Sequence, residues 1–206
     1  LVDLVRRMEI VRLGQDIDRT GVIAPEAMER TLAMTREYAA QCRAHGVDSV
    51  RFVATSASRD ARNAGEFVAG VRAAFGDLDV APEVVEGVVE AEPSFTGAPG
   101  EPQAVALPGP CLVVDLGGGS TELVRGTSHV EDAHSMDVGS VRMTERRLHD
   151  DPPTPDQVAA ARLDVQAALD VAEESVGLGG VGALVGLAGT ITTITAHALA
   201  LTAYDP

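Results

Sequence analysis

The residues best equipped for chemistry run together from Val113 to Leu123, Val-Val-Asp-Leu-Gly-Gly-Gly-Ser-Thr-Glu-Leu. A strand-forming run, an aspartate, three glycines, a hydroxyl residue and a second strand-forming run are what a phosphate-binding hairpin requires. Glycine has no Cβ, so the N–H groups of Gly117, Gly118 and Gly119 can come close to phosphate oxygens and form an anion nest, with Ser120 adding a hydroxyl. Asp115, at the strand end, can hold Mg²⁺ or another divalent cation beside those oxygens, usually through water. A plain glycine-rich turn is the competing reading. Gly189-Thr190 offers backbone and hydroxyl donors to an anion at a helix start, and a tight strand-to-helix turn would look the same. Glu90 and Arg59, read as bare residues, are ordinary solvated charges.

These residues need elements to hold them. The opening Leu1–Leu13 fits two patterns, a helix through Leu1, Leu4, Met8 and Val11, or strands around Met8–Leu13. A cleaner helix starts at Pro25, with Met28, Leu32, Ala39 and Cys42 on one face and Gly46 as its stop. The β-branched run Val47–Thr55 predicts a strand. Asn63 then caps a helix through Phe67, Val71 and Phe75 that Gly76 closes. A short strand follows at Glu83–Val85. Further strands are predicted at Cys111–Leu116, at Thr121–Arg125 and just before Gly139. Thr154-Pro155-Asp156-Gln157 is a capping box opening a helix to about Val176. A strand at Ala183–Leu187 and a helix at Thr190–Leu201 complete the pattern. Strands and helices alternate throughout, so the class is α/β. Pro99, Pro102, Pro108 and Pro110 lie among glycines in the stretch 97–110, the best candidate boundary. It divides the chain into a first α/β domain, 1–110, and a second, 111–206, that carries the hairpin.

Composition excludes some functions. A net charge of −15 over 206 residues argues against a DNA-binding surface, which needs a basic footprint. It would also repel a polyanionic substrate, so local arginines and a metal ion would have to reverse the field at any phosphate site. Cys42 and Cys111 stand in no metal-ligand spacing, and the five histidines are scattered singly. Val176–Tyr204 contains no charged residue and is long enough to span a bilayer. Its glycines break the run, so a strand, a glycine turn and a helix explain it better.

The hairpin motif alone is common to the superfamily of actin, heat-shock chaperones and sugar kinases. Other segments narrow it: Arg12-Leu13-Gly14-Gln15, Asp18-Arg19-Thr20-Gly21, Ala54-Thr55-Ser56-Ala57-Ser58-Arg59, Glu86-Gly87-Val88-Val89-Glu90-Ala91, Met136-Asp137-Val138-Gly139-Ser140-Val141-Arg142 and Gly186-Leu187-Ala188-Gly189-Thr190-Ile191. In this order and spacing, across essentially the whole chain, the sequence resembles the Ppx/GppA family of exopolyphosphatases and guanosine pentaphosphate phosphohydrolases. The resemblance implies a ribonuclease-H-like, two-domain α/β fold. It implies a hydrolase that releases terminal orthophosphate from polyphosphate, or the 5′-phosphate of guanosine pentaphosphate, by Mg²⁺-assisted attack of water. Glu90 becomes the catalytic carboxylate, on the domain opposite Asp115. Glu122 becomes a second acid that binds metal or places water, against its plain reading as a polar residue on a strand. Arg59 becomes a ligand of substrate phosphate, and Gly189 and Thr190 join Gly117–Ser120 around the phosphate. A cytoplasmic protein with no membrane partner is expected, and a homodimer is allowed. An ATP-dependent phosphotransferase or ATPase of the same superfamily, or a non-catalytic phosphate-binding remnant, are the alternatives.

The sequence departs from the family pattern in places. Val89 stands where a second glutamate is usual, and Pro93 follows Glu90 where a helix is expected; within a first turn proline is harmless, deeper it costs about 3 kcal/mol. The family's first phosphate loop should precede Leu1 and its closing elements should follow Pro206, so the chain is expected to be an internal piece, inactive alone and with an unpaired sheet edge near Leu1–Leu13.

Overall fold

A computed structural model describes residues 2–98 and 109–203. The chain forms two compact units, Leu1–Val84 and Val85–Pro206.

The first unit is mostly helical. It holds α1 (Ile17–Thr20), α2 (Pro25–Ala44), β1 (Val53–Ala54), α3 (Ser56–Asp60), α4 (Ala64–Phe75), a 3₁₀ turn at Gly76–Leu78 and β2 (Glu83–Val84). Pro25 opens α2 as predicted, but the buried stripe is Ala27, Thr31, Thr35 and Ala39. The two threonines can hide because each hydroxyl donates to the carbonyl four residues back, Thr31 to Ala27 at 2.8 Å and Thr35 to Thr31 at 2.9 Å. Met28, Leu32 and Cys42 pack at the margin of the core. Helix α4 lies so close to α2 that a Cβ on Gly70 would meet Leu32 Cδ1 at 2.6 Å. Asn63 takes the predicted N-cap position without capping. Its carboxamide instead reaches 40 residues back, accepting from Ile23 N at 2.8 Å and donating to Ile23 O at 3.1 Å. Phe67, Val71 and Phe75 fill the core, with the Phe52 ring against Phe67 and Phe75 at 6.3 and 6.0 Å.

Two strand expectations fail here. Of the run 47–55 only β1 pairs, in parallel with β2. Described residues 2–13 form no strand, so the sheet edge expected there is absent, and Val2, Leu4, Met8 and Ile10 are exposed. A strand persists only where a ladder partner meets it, and β propensity does not supply one.

The second unit is a layered α/β structure. It comprises α5 (Gly87–Gly97), β3 (Cys111–Leu116), β4 (Thr121–Gly126), β5 (Val130–Met136), α6 (Ser140–Arg147), α7 (Pro155–Val176), β6 (Ala183–Leu187) and α8 (Ala188–Ala198). The sheet runs β5-β4-β3-β6, with β4 antiparallel to β3 and β5, and β6 parallel to β3. This mixed sheet, covered by helices, is the architecture expected of the ribonuclease-H-like class. Alternation along the strands splits the core in two. Cys111, Val113 and Val124 pack with Ala91 and Phe95 of α5, whereas Leu112, Leu123 and Met136 pack with Ala172 and Val176 of α7. The capping box forms as read: Gln157 N donates to Thr154 Oγ1 at 3.3 Å and Thr154 N to Gln157 Oε1 at 3.2 Å.

The unit boundary lies at Val84/Val85, not at 110. The reason is α5: its buried Ala91 and Phe95 belong to the core under β3 and β4. Most of the Pro/Gly-rich stretch, 99–108, lies outside the described residues. The charge-free stretch resolves into the end of α7, a glycine turn, β6 and α8, and no helix among the described residues is long and apolar enough to cross a membrane.

Candidate active site

Strand alternation decides which way the acids face. Asp115 continues the row of Cys111 and Val113, and Glu122 the row of Val124, so both carboxylates lie on the α5 side of the sheet. Antiparallel register sets Asp115 directly opposite Glu122, and Glu122 opposite Ser135 of β5; parallel register sets Leu187 of β6 beside Asp115. One row across four strands therefore reads Leu187, Asp115, Glu122, Ser135.

Helix α5 lies over that row. Ser94 Oγ donates to Asp115 Oδ2 at 2.8 Å. Glu90 is one helical turn before Ser94 on the same face, half-buried, and its charge acts on Glu122. Glu90 thus belongs to the same unit as Asp115, which corrects the expectation that it sits on the opposite domain. Pro93 is the seventh residue of α5, beyond the first turn, and the helix continues through it to Gly97. With no N–H at Pro93, the carbonyl of Val89 lacks its helical donor.

Glu122 is only 3% exposed. Burial pushes its carboxyl above the usual range. Hydroxyls of Ser135, at 2.8 Å, and Ser120 work the other way, while the negative charges of Glu90 and Asp115 push it further up. Glu122 is therefore no outward polar residue of a strand; it is a buried acid among acids.

The glycine loop is held from behind. Gly117 N donates to Ser120 O at 3.0 Å, closing the turn. The first-turn N–H groups of α6 donate to loop carbonyls: Ser140 to Gly117 O at 3.1 Å, and Val141 and Arg142 to Gly118 O at 3.0 Å each. Arg142 Nε adds a bond to Gly119 O at 2.6 Å. In a trans peptide the C=O and the next N–H point in opposite directions. The N–H groups of Gly118, Gly119 and Ser120 must therefore face away from α6, and those of Gly118 and Gly119 meet no acceptor among the described residues. That is the orientation an anion nest requires. Only glycine fits at Gly139, where a Cβ would lie 2.4 Å from Gly118 O.

At the other edge, α8 starts at Ala188, two residues earlier than predicted, through a left-handed Ala188 (φ 70°). Its N-cap, Leu187, has no side-chain acceptor, so the amides at Gly189 and Thr190 are uncapped. Parallel neighbours are about 4.8 Å apart, so this helix start adjoins Asp115. Arg59 lies half-buried on α3, in the first unit.

The structure thus gathers Glu90, Asp115, Gly117–Ser120, Glu122 and the start of α8 in one unit. Sequence reasoning missed Ser94, Ser135 and the clamp of Gly139 to Arg142. The motif Met136–Arg142 was visible, but its role depends on hydrogen bonds across about twenty residues that no local pattern reveals.

Comparison with known proteins shows the family. The model of the Ppx/GppA phosphatase family matches residues 1–205. Exopolyphosphatase 2 of Mycobacterium tuberculosis is 47% identical over 207 residues, covering 100% of this chain and 64% of that protein. A solved exopolyphosphatase-like protein is 46% identical and superposes with a TM-score of 0.94, over 100% of this chain and 65% of that one. The Ppx/GppA family member of Aquifex aeolicus is 31% identical with a TM-score of 0.73, over 98% and 63%. The chain spans just under two thirds of the length of these relatives. It belongs to the Ppx/GppA phosphatase family.

Proposed function

We propose that this chain carries the phosphate-binding and water-activating part of a phosphoanhydride hydrolase, which releases orthophosphate from the end of inorganic polyphosphate or the 5′-phosphate of guanosine pentaphosphate. One observation carries the reading: three carboxylates, Glu90, Asp115 and Glu122, interact electrostatically beside a loop whose N–H groups are turned outward by α6. Acids alone would repel a phosphate, and an amide nest alone would only bind one. The name of the Mycobacterium tuberculosis relative favours polyphosphate.

A divalent cation suits this site. Three acids of one sign, one of them buried with raised proton affinity, have an electrostatic deficit that a cation offsets. Among the described residues no group of three or more His, Cys, Asp or Glu side chains is arranged so as to hold a metal ion by itself. Asp115 and Glu122 would then be at most two protein ligands, with water and phosphate oxygens as the rest, as Mg²⁺ commonly takes. Bound there, the cation supplies charge neutralisation for the phosphate oxygens.

The chain's own residues do the remainder. Amides of Gly118, Gly119 and Ser120, with the start of α8, orient the terminal phosphate. Ser94 fixes the rotamer of Asp115. Glu90 orients a water and takes its proton as the water oxygen bonds to phosphorus and the bridging P–O bond breaks.

The test is orthophosphate release by the full-length protein that contains this chain, from long-chain polyphosphate, guanosine pentaphosphate, and ATP with sugars, each with Mg²⁺ and with EDTA. Mg²⁺-dependent release from either of the first two is expected. Phosphoryl transfer to a sugar, or no release from any substrate, would reject the reading.

A further inference from the structure

We infer that Arg142 is a positioning residue that locks the last peptide of the phosphate loop, so that the Ser120 N–H faces the bound phosphate. The inference rests on the phosphate reading above. Three glycines in succession leave the loop backbone soft, because glycine adopts many φ, ψ pairs at similar energy. A peptide that turned over would present its carbonyl oxygen to the phosphate and repel it. Each loop peptide therefore needs an external hold, and the structure supplies three. The carbonyls of Gly117 and Gly118 are held by backbone N–H groups of α6, which any residue at 140–142 could provide. The carbonyl of Gly119 is held by the side chain of Arg142, through Nε at 2.6 Å. That bond is charge-assisted and geometrically fixed, since the guanidinium is planar and permanently protonated. The Arg142 side chain is only 11% exposed, and its guanidinium lies 3.9 Å from the exposed carboxylate of Asp137. The side chain thus has a specific target in the loop and is no solvated surface charge.

The peptides should respond unequally when Arg142 is changed. In Arg142→Met the α6 amides still hold Gly117 and Gly118, so the Gly118 and Gly119 N–H groups keep their direction. Only the Ser120 N–H is released.

The experiment is NMR on the ¹⁵N-labelled protein, comparing wild type, Arg142→Met and Arg142→Lys for amide shifts and exchange at Gly118–Ser120, and titrating each with inorganic phosphate. Arg142→Met is expected to move the Ser120 amide and speed its exchange, leave the Gly118 amide near its wild-type position, and weaken phosphate binding about 10- to 100-fold. Arg142→Lys, which keeps the charge on a flexible stem, should recover most of that affinity. An unchanged Ser120 amide with unchanged phosphate affinity in Arg142→Met would overturn the inference, as would a uniform disturbance of the whole loop and α6. If wild type itself binds no phosphate, the functional reading fails, while the Ser120 amide in the two variants still decides the role of Arg142. If Arg142→Met does not fold, Arg142→Gln, which removes the charge and shortens the stem, decides: wild-type Ser120 exchange together with wild-type phosphate affinity there would overturn it.

Discussion

The two faces of the second unit's sheet share their strands and end differently. Toward α7 the inward row stays apolar, with Leu112, Leu123 and Met136 closing on Ala172 and Val176. Toward α5 the row begins in the same way, with Cys111, Val113 and Val124 against Ala91 and Phe95. It then changes class within one step, to Asp115, Glu122 and Ser135 in register. The α7 face can be optimised for packing alone. The α5 face buries a carboxyl at 3% exposure next to two others, an arrangement that packing would never select. A periodic rule that continues in geometry while the residue type departs from it is what marks this row as the candidate site.

Substitutions can break this contrast. The largest effect is expected from Glu90→Gln in the full-length protein, which keeps shape and removes the proposed base: turnover should fall roughly 10²- to 10⁴-fold, about 3–5 kcal/mol, with the unfolding midpoint nearly unchanged. Steady-state kinetics beside a thermal melt would check it, and more than half of wild-type turnover would remove Glu90 from the mechanism. On the opposite face, Leu123→Ala should do the reverse. Leu123 is 3% exposed in the α7 core, so truncation should cost about 2–4 kcal/mol in urea unfolding, with kcat per folded molecule preserved. A large loss of kcat with little loss of stability would mean that the two faces are not separable in function.

Glu122→Gln sharpens the comparison with a smaller effect that depends on pH. The folded-state pKa of Glu122 is raised, mainly by burial, so the folded protein holds that proton more tightly than the unfolded chain. Its contribution to stability is complete below the ordinary glutamate range and is lost as pH rises through the folded value. The Gln variant lacks this loss. In chelator-containing buffer it should be more stable than wild type near pH 7, with the advantage vanishing at about pH 4 and below. Urea midpoints across that range measure it, and a difference independent of pH would show that the carboxylate is not destabilised by its surroundings.

Much of this was legible in the residues. The hairpin was readable because a turn of three glycines between two strand-forming runs admits few other structures, and because capping of α7 is a local, four-residue event. Asn63 shows the limit of local reading: it occupies the N-cap position, yet its side chain is satisfied by Ile23, 40 residues away. The run 47–55 has strong β character and forms only two paired residues, because pairing depends on a partner.

What the sequence determined by itself was therefore the set of local events: the α/β alternation, the glycine hairpin with Asp115 at its strand end, the helix starts at Pro25 and Pro155, and the resemblance that singled out Glu90. What only tertiary structure decided was the company these residues keep. Proline-rich spacing suggested a boundary at 110, but α5 buries Ala91 and Phe95 against β3 and β4, so Glu90 joins the unit of Asp115. Register, and nothing in residue order, set Glu122 opposite both Asp115 and Ser135. The direction of the loop amides was decided by α6, more than twenty positions on. The physical reason is common to all three: turn and cap energies are properties of a few adjacent residues, whereas burial, register and peptide orientation exist only once distant segments pack.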